Sequence, residues 1–317
     1  MVIKITQRGI TVSMVFDRSL CHIPEGTVIE EKNIRCRGDV IFSDRSQLKR
    51  GIMTEGRVFL GEFLEVEGDI ISIGDIRIDK GSKVQGNITG DADIYIGERS
   101  VIAGEINVGK NLDIGEGVDV DPNAIDSKGR INIRNPISVI VYLLLYLLEL
   151  IKKNDSKEVE NFFNELEDGE QDSILVSQNF IFFPKGSKIG SHLIKVPGDM
   201  RIGHGCQIAA DLETSGGLDL ESEVQLFGDI ECEGDVILGE NTVINGTIRT
   251  VGDVMIHHAA RITGNIRGRN ITTTSDTIID GTLKGEEGIR ILPEGGSAIE
   301  DRITRFEKGI DELEGLM

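Results

Sequence analysis

Aliphatic residues recur along this chain with a period of eighteen. One column runs Val40, Val58, Ile76, Ile94, Leu112 and Ile131, and a second runs Phe42, Leu60, Ile78, Ile96, Ile114 and Ile133. A third holds Leu48, Val66, Val84, Ile102 and Val120, and a fourth Ile52, Ile70, Ile88 and Ile106. Gly, Asp, Asn, Lys and Glu lie between the columns. The second half follows the same design, with columns through Met200, Leu218, Val236, Val254, Ile271 and Ile289, and through Ile208, Leu226, Ile244, Ile262 and Ile279. A third there runs Leu212, Ile230, Ile248, Ile266 and Leu283, and one residue drops out near Ile271.

Within each column the local pattern alternates, as in Ile76-Arg77-Ile78. Alternation puts one face of a short strand inward. Stacking equivalent residues coil on coil then builds a continuous aliphatic core, which no coil could bury alone. The predicted fold is an all-β solenoid, a parallel β-helix of about eighteen residues per coil. An antiparallel sandwich has no reason to hold that phase. Gly in the Gly-Asp and Gly-Asn segments is expected at sharp corners whose backbone angles exclude most residues.

The chain is also duplicated. Pro24 matches Pro184, Gly38-Asp39 matches Gly198-Asp199, and Gly68-Asp69-Ile70 matches Gly228-Asp229-Ile230, each offset by 160. The expected organisation is two tandem modules, 1–135 and 169–295, each followed by a helical segment, 136–168 and 296–317. Asn135 caps and Pro136 opens the first of these. Residues 137–151 are apolar on all sides. At about 1.5 Å per residue they reach about 22 Å, short of a hydrocarbon core of about 30 Å. A helix buried against a solenoid flank or a second copy is the first reading of Ile137, Val139, Val141, Leu144, Leu148 and Ile151, and a membrane-surface segment the second. An acidic helix is expected over 158–167. Near the C-terminus Ser297 and Glu300 fit a capping box. Ile299, Ile303, Phe306, Ile310 and Leu313 follow at heptad spacing, a seam for packing on the solenoid or for self-association.

The phrases in residues 74–117 and 234–266, such as Gly74-Asp75-Ile76-Arg77-Ile78, resemble the repeats of bactofilins. The resemblance covers about 38–133 and 198–292. It implies a right-handed parallel β-helix and a non-enzymatic, polymer-forming cytoskeletal protein that associates end to end, often at a membrane. The expected contact is heterologous, between open coil ends whose terminal strands have unpaired backbone groups. Residues 96–119 also resemble the hexapeptide repeat of left-handed β-helix acyltransferases. In that repeat a small residue recurs, and here Ser46, Ser82, Ser100, Cys206, Thr242 and Ala260 supply it on one face only; the other faces carry large aliphatics, which suit bactofilins better. Period alone does not fix handedness.

Composition narrows the function. Lys and Arg number 34 against 54 Asp and Glu, a formal charge of −20. Nucleic acid is therefore not an expected partner, because binding it requires cations to neutralise phosphates. Aromatics are 4% and Trp is absent, which argues against a base-stacking platform. Cys21, Cys36, Cys206 and Cys232 are scattered and read as ordinary buried thiols in a reducing compartment. The N-terminal run has no signal-peptide pattern, so a cytoplasmic protein is expected, with membrane association through 137–151 as the alternative.

No catalytic, cofactor-binding or metal-ligating set emerges. The histidines are His22, His192, His204, His257 and His258. An acyltransferase would need one of them in a cleft. His257 is expected to point outward as part of an exposed pair with His258, and His204 to be a turn residue. The carboxylates of the Gly-Asp corners are expected to bond nearby backbone N–H groups.

Overall fold

The computed structural model describes residues 2–7, 10–15, 19–133, 173–176 and 179–293. The expected helices over 137–151, 158–167 and 296–317 lie outside the described residues. The described chain is a β-solenoid, and its helical content is one short 3-10 turn, Pro122–Ala124.

Each coil carries three short strands. In one coil they are Val58–Leu60, Glu65–Val66 and Ile70–Ser72. All three pair in parallel with their repeats one coil on, Val58 with Ile76, Glu65 with Lys83 and Ile70 with Ile88. Ile76, Ile78, Val84 and Ile88 point inward and are fully buried. Each such aliphatic contributes about 1.5–3 kcal/mol on burial. The columns read from sequence are this core.

The period breaks twice, both times in outer coils. Ile106 pairs with Ile125 and Leu112 with Ile131, and the extra residue is taken up by the Pro122–Ala124 turn. Val254 pairs with Ile271 and Arg261 with Ile278, one residue short. There a corner is smoothed into the single strand Ile266–Thr274, with an irregularity between Gly268 and Asn270.

The corners differ from the sequence expectation. The Gly-Asp glycines are not the left-handed residues. Those form another column, one per coil, at Arg45 (φ 56°), Phe63 (55°), Gly81 (69°), Arg99 (56°) and Gly117 (68°), and again at Gly205, Glu223, Asn241 and Ala259. The backbone N–H of most of them donates to a carbonyl of the next coil, Arg45 to Glu62 and Phe63 to Lys80, for example, while that of Ala259 donates to the Asp276 carboxylate. The residue that follows is the small, buried one in most coils, at Ser46, Ser82, Ser100, Cys206, Thr242 and Ala260, and Leu64, Val118 or Val224 in the others. Ser46 donates to the carbonyl of Ser43, Ser82 to that of Gly61 and Thr242 to that of Glu221. The Gly-Asp glycines serve close approach instead. A Cβ on Gly86 would overlap the carbonyl group of Gly68, and one on Gly104 that of Gly86. The Asp or Asn that follows works in the other direction. Asp69 Oδ1 accepts the N–H of Asn87 at 2.7 Å, and Asn87 Oδ1 accepts that of Glu105 at 2.9 Å. Asp229 accepts from Thr247 at 2.7 Å and Asp235 from Asp253 at 2.8 Å.

The two repeats are not separate modules. They meet start to start and merge into one solenoid. The opening strand Cys21–Ile23 stacks on Met200–Ile202 of the second repeat, while Phe180–Phe183 stacks on Asp39–Phe42 of the first. Val28–Ile29 pairs with Gln207–Ile208, and Lys188–Ile189 with Gln47–Leu48. Each repeat thus lays its first residues on the other's stack. At the centre Phe182 pairs antiparallel with His22, its own counterpart 160 residues earlier. A pseudo-two-fold axis passes between them. Val2–Gln7 and Ile10–Val15, expected within the first module, belong to a separate three-stranded sheet. Val2–Gln7 pairs antiparallel with Ile10–Val15 and parallel with Ser173–Val176.

Ala259 is exposed in the left-handed region, so Ala259→Gly should raise the urea midpoint, a gain of about 1 kcal/mol. Gly86→Ala should lower it by about 1–3 kcal/mol, since backbone must move to admit the methyl. Chemical denaturation of the two variants beside the wild type checks both signs.

Candidate functional site

Two places carry chemistry that the regular coils lack: the junction at the centre and the two outer ends.

The junction is aromatic inside. Phe42 and Phe183 are buried and stack at 4.7 Å between ring centroids, 12° from parallel. His22 lies against Phe180 at 5.4 Å. Burial, and then the positive Arg201, hold the His22 imidazole below the usual histidine range, with Glu221 opposing them. Cys21 and Cys206 are buried beside it. Burial pushes the Cys206 thiol up to about 11, and Cys206 Sγ donates to the carbonyl of Pro24 at 3.0 Å. Burial also raises Cys21, Cys36 and Cys232. All four are free thiols of low reactivity.

One residue locks the junction, and sequence reasoning missed it. Arg50 is fully buried. Its Nε donates to the carbonyl of Gly190 at 2.7 Å. Nη2 donates to the carbonyls of Ser191, at 2.8 Å, and Ala209, at 3.2 Å, and Nη1 donates to that of Glu30. One guanidinium therefore ties both repeats together through main-chain oxygens. Burial draws its pKa below the usual arginine value, and the charge of Glu31 counters this. A signal was present in the sequence. Arg50 stands in register with Gly68, Gly86 and Gly104, and its counterpart 160 residues later is Ala210.

The outer ends are both the C-terminal ends of their repeats. On one, Ile131 and Ile133 occupy core columns but are 50% and 70% exposed, directly over the buried Leu112 and Ile114. On the other, Ile289 and Ile291 are 47% and 63% exposed. Among the described residues Asp119–Val120, Ile125–Ser127 and Ile131–Ile133 have a paired strand on one side only, as do Ile278–Ile279 and Leu283–Leu292.

The histidines do not converge. His257 is buried, not outward as expected, because it falls in the corner after Val254–Ile256 and not on the strand's outer row. His258 Nδ1 is 3.4 Å from Asp276. His204 is exposed and its Nδ1 meets Ser222 Oγ at 3.0 Å. Among the described residues no three His, Cys, Asp or Glu side chains are grouped to hold a metal ion, and no helix is long and apolar enough to cross a membrane. The residues proposed for membrane or partner contact, from Ile137 to Ile151 and from Ile299 to Leu313, lie outside the described residues. No family model, curated protein or solved structure matches the chain.

Arg50→Ala leaves buried carbonyls of both repeats without donors and should cost about 3–5 kcal/mol. The loss is read as a fall in the urea midpoint, and Ala210→Ser at the counterpart position should be far milder. The pH dependence has a definite sign. The lowered His22 pKa means that the unfolded chain binds the proton more tightly. Its contribution is fully present above the unfolded value of about 6.5 and is lost as pH falls towards the lowered folded value. Stability of the wild type should therefore drop more between pH 7 and 5 than that of His22→Gln, measured by urea titration at each pH.

Proposed function

We propose that this chain is a non-enzymatic, polymer-forming structural protein of bactofilin type, with a right-handed solenoid, and that copies of it associate through the solenoid ends in the cytoplasm. The observation that carries this reading is the pair of uncovered ends. The columns buried everywhere else surface there at Ile131, Ile133, Ile289 and Ile291, beside strands that have a partner on one side only among the described residues. Exposed aliphatic core and unpaired backbone groups together favour addition of further coils. The phrases of residues 74–117 and 234–266 support the same reading by resemblance.

The fold changes the expected contact. A heterologous contact requires two different ends. Here the repeats meet start to start, so both outer ends are tails. End-to-end contact joins like with like, which is isologous. The chain already contains one union of like ends at its centre. Antiparallel pairing and crossed strands close it, and these are the devices a second union would use.

The test is negative-stain electron microscopy with light scattering on the full chain. Wild type should form filaments. Ile133→Glu and Ile291→Glu together place charge on both ends and should leave short particles. A wild type that stays a uniform small particle, or a double variant that grows as long, overturns the reading.

A further inference from the structure

The pseudo-two-fold axis maps one flank of the solenoid onto the other. The first is the twelve-stranded sheet that runs from Ile125–Ser127 through Ile70–Ser72, Asn33–Cys36 and Val28–Ile29 to Gln225–Leu226 and Ile278–Ile279. The second runs from Asp119–Val120 through Gln47–Leu48, Lys188–Ile189 and Leu193–Val196 to Leu283–Leu292. Geometry makes them sisters, but their outward residues differ in kind. Met53, Ile71, Thr89 and Asn107 on the first correspond, 160 residues on, to Glu213, Glu231, Arg249 and Arg267 on the second. Across from them, Gln225 and Val243 correspond to Glu65 and Lys83. Only Arg35, Asp126 and Arg261 bring charge to the outward row of the twelve-stranded sheet. On the sister flank all but Gln47, Val101 and Leu193 of the outward residues are charged, and ion pairs such as Lys195–Glu213 and Lys83–Glu65 occupy it. Of the exposed large apolar side chains Ile71, Ile73, Phe227 and Ile278 stand on or beside the twelve-stranded sheet, and Val101, Leu193 and Val251 on or beside its sister.

From this contrast we infer that the twelve-stranded sheet is a lateral docking face for a second copy of the same chain. Charge selects the occupant. Each copy carries a formal −20, so two copies repel over most of their surface. A self-complementary contact on the charged flank would have to desolvate ions row by row. On the uncharged sheet almost no ion is buried. With about 4.8 Å between strands, twelve strands extend about 50 Å, and strands of two to four residues make the face about 10 Å wide, on the order of 500 Å² per copy, the size of a weak, reversible contact. A solenoid flank is flat and held by its ladders, so two such sheets can meet face to face.

This inference does not rest on end-to-end assembly, and its test separates the two. Sedimentation velocity is run on the Ile133→Glu/Ile291→Glu chain, whose ends are blocked, and filament width is measured by electron microscopy on the wild type. The end-blocked chain should dimerise and the wild-type filament should be two solenoids wide. Adding Thr89→Glu and Gln225→Glu should weaken the dimer at least tenfold and halve the filament width without shortening it. Gln47→Glu with Val101→Glu, which adds the same charge to the sister flank, should change neither. An end-blocked chain that stays monomeric with single-width wild-type filaments overturns the inference. So does pairing that survives Thr89→Glu/Gln225→Glu, or that is lost equally in the sister-flank variant. Should the wild type form no filaments at all, dimerisation of the end-blocked chain still decides the lateral contact alone.

Discussion

Everything in this molecule follows from the distance between stacked coils. Backbone hydrogen bonds hold neighbouring strands about 4.8 Å apart, and each residue must sit over its counterpart one coil earlier. That spacing leaves no room for a side chain where two corners touch, which explains the Gly86-over-Gly68 column. It places an Asp or Asn carboxamide or carboxylate at bonding distance from the next N–H, which explains the Asp69 to Asn87 to Glu105 ladder. It also fills the core with identical layers of Ile, Leu and Val. A coil that changes length must absorb the change in a corner, and both such changes fall in outer coils, near an end where the shift need not propagate.

The centre is the one place where this rule meets a discontinuity. Two stacks that begin facing each other cannot continue with parallel pairing. The chain resolves this by crossing its opening strands and making three antiparallel contacts, Phe182 with His22 at the centre, Val28–Ile29 with Asn33–Cys36, and Lys188–Ile189 with Leu193–Val196. The crossing strands leave carbonyls of both repeats turned into the gap. Arg50 meets four of them with its fork of donors. A neutral side chain could not satisfy as many, and a lysine lacks the planar geometry. The cost is a buried charge with no carboxylate bonded to it, offset by those four hydrogen bonds.

The regular part of the fold was legible in the sequence because it is a sum of identical local choices. Ile76, Ile78, Val84 and Ile88 announce their inward direction by position alone. The junction was not legible, because crossing the opening strands changes partners without changing the alternation of any strand. Residues 21–29 have the same pattern whether they stack on their own repeat or on the other. The corners were half legible. Gly at 68 and 86 was read as conformational freedom, whereas the spacing demanded absence of a side chain, and residues such as Arg45 and Phe63 adopt the left-handed region without any compositional sign. His257 was placed outward by strand alternation, which stops applying once the chain enters a corner. The open ends at Ile133 and Ile291 could be located in sequence as the last members of their columns.

Crossed opening strands on a single chain have a consequence for how the surface can change over generations. Two separate identical copies joined at the same place would be bound to symmetry, since any substitution on one flank would appear on the other. Fusing the copies releases that bond. The chain keeps the union at a fixed one-to-one ratio and at an effective concentration no pair of free copies could match. At the same time each half carries its own letters. Arg50 could arise opposite Ala210, and a row of ions could form on one flank while its sister became neutral. Duplication without separation thus turns a symmetric object into one that has sides.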